Sequence, residues 1–261
     1  MALIGFKPDW PAPSFVHALM TTREGGVSQA PWESLNVGNH VGDMPANVDA
    51  NRAMVNKAMG ATAVYLRQVH GVTGVAIHAQ TPSNTEADVA WTTETGVACA
   101  MMVADCLPIL VCHPRRKWVA AVHAGWRGLA GSQGVGVVET LTSAIQALGM
   151  APQDCLVWLG PCIGPKAFEV GPEVKAAFEG NANHSMPQSH FETSHSGKFL
   201  ADLAGLARAR LNLAGFHRLF GNDSSLPWCT HTQVSKYHSH RRDAVSHGSA
   251  GRMAAYVWIR D

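Results

Sequence analysis

Charge is scarce in this chain. Only 15% of its 261 residues are Asp, Glu, Lys or Arg, and the formal net charge is +1. No long basic run occurs, which argues against a nucleic-acid surface. The densest cationic cluster, Arg115-Arg116-Lys117, follows Pro114 and reads as a solvated turn. Long apolar runs are missing too. The longest, Gly96 through Cys112, is interrupted by Asp105 and Pro108 and falls short of the ~18 residues a membrane span needs. Pro8, Pro11 and Pro13 break any signal helix, so no export signal is read, and the expected setting is the cytoplasm with reduced thiols. None of the six cysteines forms a CxxC pair, which excludes a zinc ribbon or a thioredoxin motif.

What is present is a chain that is 46% hydrophobic, enough for a sizeable core and too apolar for disorder. No repeat, low-complexity tract or linker divides it. The expectation is one domain over 1–261, with a polar loop at Asn181 to Gly197. Strands are expected at 3–10, 15–22, 63–70, 74–80, 96–104, 107–113, 117–124, 155–160, 216–221 and 252–260. Helices are expected at 47–59, from the glycine turn after His123 to about Leu148, at 172–179, and at 199–215 with Gly215 closing it. Strands and helices mix without strict alternation, so the fold class is α+β.

Three polar residues stand at the ends of apolar strands. His70 ends "YLRQVH", Cys106 follows Asp105 between two apolar runs, and His123 lies in "AAVHAGWRG". Strand ends beside glycine turns are where a rigid scaffold presents side chains to a cleft. Two imidazoles and a thiolate form a donor set that suits Zn²⁺ with three protein ligands and a fourth position for water. Taken singly, each histidine also fits a hydrogen-bonded core residue and Cys106 a small buried hydrophobe, and the spacing alone does not join them. Asp105 directly precedes a candidate ligand and is expected to orient a ligand histidine or relay a proton.

Two further stretches offer anion contacts. Gly125, Gly128 and Gly131 surround Trp126 and Arg127 before a helix, where backbone N–H groups and the Arg127 fork would cradle a phosphate. A tight turn with a solvated arginine is the alternative. "YHSHRRD", Tyr237 to Asp243, reads as a strand with His238 and His240 on one face, giving a cationic wall or simply a charged edge.

The segments "TTREGGVSQAPWESLNVGNHVGD", "RQVHG", "ADCLPIL", "AAVHAGWRG", "GPCIG…FEVG" and "YHSHRRD…GR" together resemble the laccase-domain family. That family is also called the multicopper polyphenol oxidase-like or YfiH-type purine nucleoside phosphorylase family. The resemblance runs from Thr21 to about Trp258. It implies a four-layer α/β/β/α fold with mixed sheets and zinc ligands at His70, Cys106 and His123. The catalytic set is then Asp105, Cys106 and His123, with substrate contacts expected at Arg23, Asn36, Gln68, Arg127, Cys162, His240 and Arg241; Arg242 is a further phosphate candidate. The implied partners are a small-molecule nucleoside and phosphate. The implied reactions are phosphorolysis of adenosine, inosine, guanosine and methylthioadenosine, and deamination of adenosine. One alternative is a copper-dependent polyphenol oxidase with Met101 or Met102 as axial ligand, although the chain has a single His-x-His pair, His238 and His240. Another is a metal-free hydrolase with Cys106 as nucleophile and His123 as base, editing peptidoglycan precursors.

Overall fold

A strand buried on both faces needs a covering layer on each side, and four long strands of this chain are buried at every position. The computed structural model describes residues 4–179 and 190–261. Its first half contains β1 (Gly5–Phe6), β2 (Val16–Thr21), α1 (Pro45–Met59), β3 (Thr62–Tyr65), β4 (Gly74–Ala76), β5 (Val89–Thr92), β6 (Val97–Val103) and β7 (Leu107–Cys112). Then follow β8 (Val119–Ala124), α2 (Trp126–Ala130), α3 (Val137–Ala147), β9 (Leu156–Leu159), β10 (Glu169–Val170) and α4 (Pro172–Glu179). The C-terminal part adds β11 (Phe191–Thr193), β12 (Phe199–Ala201), α5 (Leu203–Leu213), β13 (Leu219–Gly221), α6 (His240–His247) and β14 (Met253–Ile259).

Two mixed sheets carry the fold. One runs β1-β2-β14-β6-β3 and the other β13-β9-β7-β8-β5-β4, with β10-β12-β11 as a small third sheet. Side-chain alternation sorts the layers. In β6, Val97, Cys99, Met101 and Val103 enter the core between the sheets, while Ala98, Ala100 and Met102 face the layer of α1. In β8, Val119 and Ala121 enter the inter-sheet core, while Ala120, Val122 and Ala124 face α3 and α5. The order is therefore helix, sheet, sheet, helix, as the family resemblance implies.

Several local expectations are corrected. The strand expected through His70 ends at Tyr65, and His70 sits on the following loop with φ 59°. One long helix was expected after His123; instead Gly131 (φ 72°) and Gly134 (φ 82°) break it into α2 and α3. The helix expected from Phe199 begins at Leu203, because the Asp202 carboxylate accepts the Gly205 N–H as its N-cap and Phe199–Ala201 pairs as β12. The stretch Tyr237 to Asp243 is not a strand. Ser239 caps α6 by accepting the Arg242 N–H, so His238 and His240 part company. Of the loop expected at 181–197, residues 191–193 form β11, and 181–189 lie outside the described residues.

Candidate metal centre and its cavity

A loop, a turn and a strand end bring the donor residues together at the ends of the central strands of the six-stranded sheet. His70 comes from the loop after β3, Cys106 from the turn between β6 and β7, and His123 from the end of β8. Their ligand atoms all lie within 4.8 Å of one another, and Cys106 Sγ is 3.6 Å from His70 Nε2. The two imidazole rings meet edge to face at 4.8 Å between centroids. Zinc bonded at its usual lengths in a tetrahedral shell sets its donors about 3.3–3.7 Å apart, so the cluster fits that ion with small adjustments.

Asp88 builds this arrangement, and the motif reading missed it. The residue is fully buried just before β5. Its carboxylate accepts the His123 Nδ1–H at 2.7 Å, which leaves Nε2 of that ring to face the cluster. The same carboxylate accepts the backbone N–H groups of Val69, His70 and Gly71 at 3.2, 3.1 and 2.8 Å. One side chain thus orients one histidine and pins the loop carrying the other, which is how outer groups tune metal ligands. The signal available in the sequence was a lone carboxylate in the apolar stretch "ADVAW".

Asp105 lines the cavity beside the cluster, and its hydrogen bonds go elsewhere than to a ligand histidine. It has φ 88° and holds the turn that presents Cys106. Its oxygens accept Thr230 Oγ1–H at 2.6 Å, Ser239 Oγ–H at 3.0 Å and the Arg241 N–H at 2.6 Å. It clamps the start of α6 and orients no histidine. A positive φ at both His70 and Asp105 marks backbone strain held by the surrounding structure at the site.

Burial alone would push the Cys106 thiol up, but the charge and hydrogen bond of His123, with help from His70, bring it down to about 6. Burial would likewise lower His123, but the Cys106 thiolate and the Asp88 carboxylate raise it to about 9. Without metal the two shifts favour a thiolate beside a protonated imidazole, with Asp88 behind it.

A cavity of about 280 Å³ opens over the cluster. Trp126, Ile163, Phe168 and Leu203 give it apolar walls, and His40, Gln68, His240, Arg241 and Arg252 polar ones. Of the expected substrate contacts, Gln68, His240 and Arg241 line it. Gln68 is fixed by two 2.8 Å hydrogen bonds with the backbone of Met102. The rest lie elsewhere. Asn36 is buried behind the wall, its oxygen accepting the N–H of Arg252. Cys162 is buried beside Cys229 under a neighbouring turn. Arg23 donates to Glu33 O and Val234 O. Arg242 is committed to Asp243 and to three carbonyls. Arg127 is exposed, and its guanidinium stacks 4.4 Å above the Trp126 ring. His40 and Arg252 were missed although both fall in quoted motifs, because a motif shows no facing direction. Met101 is buried in the inter-sheet core, and Met102 Sδ accepts a guanidinium N–H of Arg52 at 3.8 Å.

The family described as multi-copper polyphenol oxidoreductase laccase matches residues 17–260. A purine nucleoside phosphorylase of Pseudomonas aeruginosa is 44% identical over 255 residues, 97% of this chain and 98% of that protein. The purine nucleoside phosphorylase YfiH of Escherichia coli is 40% identical over 257 residues, 97% of each chain. Among solved structures, YlmD from Geobacillus stearothermophilus superposes with a TM-score of 0.89 at 29% identity, covering 100% of this chain and 98% of that one. A Neisseria meningitidis protein reaches a TM-score of 0.87 at 41% identity, covering 99% and 100%.

Proposed function

Because the chain belongs to the multi-copper polyphenol oxidoreductase laccase family, in which it is similar to purine nucleoside phosphorylases, we propose that it is a zinc-dependent purine nucleoside phosphorylase that also deaminates adenosine. The observation that carries this reading is the convergence of His70, Cys106 and His123 beneath a cavity with aromatic and cationic walls. His70 and His123 would hold the ion through Nε2 and Cys106 through Sγ, supplying a Lewis acid at the cavity floor.

The chain's own residues do the rest. Asp88 holds His123 in the Nδ1–H form. Trp126 and Phe168 would give a purine aromatic surface along the cavity wall. In phosphorolysis a phosphate oxygen bonds C1′ of the ribose as the C1′–N9 bond breaks, and its electron pair leaves with the base. Deamination replaces the C6 amine with oxygen from water and releases ammonia, so the two reactions differ in their need for phosphate.

Three observations favour zinc over copper. The described residues contain one His/Cys cluster rather than several. The single His-x-His pair is divided between the buried His238 and the cavity residue His240. Met101 is buried in the inter-sheet core, and the sulfur of Met102, which lines the cavity, accepts an N–H of Arg52. A second reading, Cys106 as a nucleophile, draws support from the lowered thiol and the Cys106–His123–Asp88 alignment.

Metal-quantified protein incubated with adenosine, with and without phosphate, tests the proposal. The expected products are adenine and ribose 1-phosphate only when phosphate is present, and inosine in both cases. Both should vanish on chelation and return with one equivalent of zinc. Turnover that survives complete metal removal would overturn the zinc role in favour of the thiol, and no turnover of any purine nucleoside would overturn the function.

A further inference from the structure

Three arginines stand near the cavity, and they differ in what their N–H groups are doing. Arg127 stacks on Trp126 outside the cavity lining. Arg241 lies over the Phe168 ring at 5.8 Å, donates from Nη1 to Glu169 O and acts on the Glu169 carboxylate, while its Nε and Nη2 make no further hydrogen bond to the described residues. Arg252 lines the cavity, and its Nη1 donates to Ala250 O and Gly251 O at 2.8 and 3.3 Å. Among the described residues no carboxylate forms an ion pair with Arg252, and its Nε and Nη2 make no hydrogen bond to the protein.

The Arg252 side chain is nonetheless held in place. Its N–H donates to Asn36 Oδ1 at 2.8 Å, and its carbonyl accepts the Val37 N–H at 3.0 Å. Its stem passes over Gly38, where a Cβ would come within 2.7 Å of Arg252 Cγ. Gly38 therefore makes room for the arginine. The segment that clamps Arg252 ends in His40, which lines the same cavity. His240 reaches that cavity from the first turn of α6. Neither ring makes a hydrogen bond to another described residue, and the Arg252 charge acts on both. A positioned guanidinium without an ion pair, its charge met only at longer range by Asp105 and Cys106, with two imidazoles at its side and a metal-ligand cluster beside it, offers an anion the space between them.

We propose that Arg252, flanked by His40 and His240, is the subsite for inorganic phosphate, a reading that rests on the phosphorylase function above. The free Nε and Nη2 edge of Arg252 faces two phosphate oxygens as a fork. His40 and His240 donate one ring N–H each. In the same cavity the purine nucleoside would then present C1′ of its ribose to the phosphate. Arg127, stacked on Trp126, takes no part in this subsite.

The test uses zinc-loaded full-length protein and four variants. Arg252→Met keeps the stem and removes the fork. Its KM for phosphate should rise about 10- to 150-fold, the loss expected for one charge-assisted contact, with zinc content and nucleoside KM near wild type. Arg252→Lys keeps the charge without the fork and should show a smaller rise. Because Arg252 also caps two carbonyls, His40→Ala provides a variant free of that role, with a several-fold rise expected. Arg127→Met is the comparator. Calorimetric titration of inorganic phosphate without nucleoside, and of a nucleoside 5′-monophosphate in a second arm, reads binding without turnover. Phosphate binding lost in Arg252→Met upholds the subsite even if no nucleoside is turned over, so the subsite and the activity fail separately. Unchanged phosphate affinity in Arg252→Met and His40→Ala overturns it. So does a phosphate KM that rises in Arg127→Met alone, or an Arg252 effect confined to the 5′-monophosphate.

Discussion

The two ends of β7 carry the same residue type in opposite states. Cys106 lies just before the strand and Cys112 at its last position. The Cys106 thiol is brought down to about 6, and burial pushes Cys112 up to about 12. The two thiols belong to the two ends of one apolar strand. The difference is what the adjoining loops deliver. At the Cys106 end, His70, His123 and Asp88 converge. At the other end His113 folds its Nδ1 back to accept the N–H groups of Arg115 and Arg116 and closes a hairpin. A strand end becomes a reactive site only where separate loops bring complementary charge to it, and a buried thiol without them is packing.

The comparison breaks most decisively by deleting each thiol. Cys106→Ala should abolish stoichiometric zinc binding and turnover together, measured by metal analysis and product chromatography. Cys112→Ala should retain both. Equal zinc content in the two proteins would erase the distinction. Next in size is Asp88→Asn, which keeps the shape and removes the charge behind His123. Zinc affinity or turnover should fall about 10- to 100-fold, checked by competition with a chromophoric chelator.

A smaller effect separates the two thiols chemically. In metal-free protein iodoacetamide should label Cys106 at neutral pH and leave Cys112 unmodified, as read by peptide mass spectrometry. Because the Cys106 value is lowered to about 6, its thiolate dominates above that pH and is lost below it. The labelling rate should therefore fall about tenfold between pH 7 and pH 5, and bound zinc should protect it. The smallest change is expected for Asp105→Asn, which disturbs the clamp on α6 and contacts no ligand ring. Stability should drop by about 1–3 kcal/mol in denaturant melts, with zinc retained. Loss of zinc in that variant would return Asp105 to the metal shell.

Much of the fold was legible because strand patterning is local. The apolar runs that became β6, β7, β8 and β14 announced themselves, and α1 ended where Gly60 takes up φ 63°. The errors fell where a polar side chain captures a backbone group. Asp202 and Ser239 started helices that apolar periodicity could not date, and Gly131 and Gly134 split a run that looked continuous. At the site, the three donors were readable from their chemistry and from strand-end placement. Their supports were not. Asp88 lies 35 positions before His123 and meets it only through the pairing of β5 with β8.

By itself, then, the order of residues determined the α+β class and the donor types available to a metal, because hydrophobic alternation and side-chain chemistry are properties of each short segment. It did not determine which arginine faces the cavity. Arg127, Arg241 and Arg252 all fall in motif segments, and nothing in their neighbours along the chain ranks them. Only the tertiary structure turned Arg127 onto Trp126 and Arg241 toward Glu169 and Phe168, and left the Arg252 edge unpaired over Gly38. A guanidinium on a long stem points where distant backbone carbonyls, ring faces and open space direct it, and those partners are brought together by folding alone.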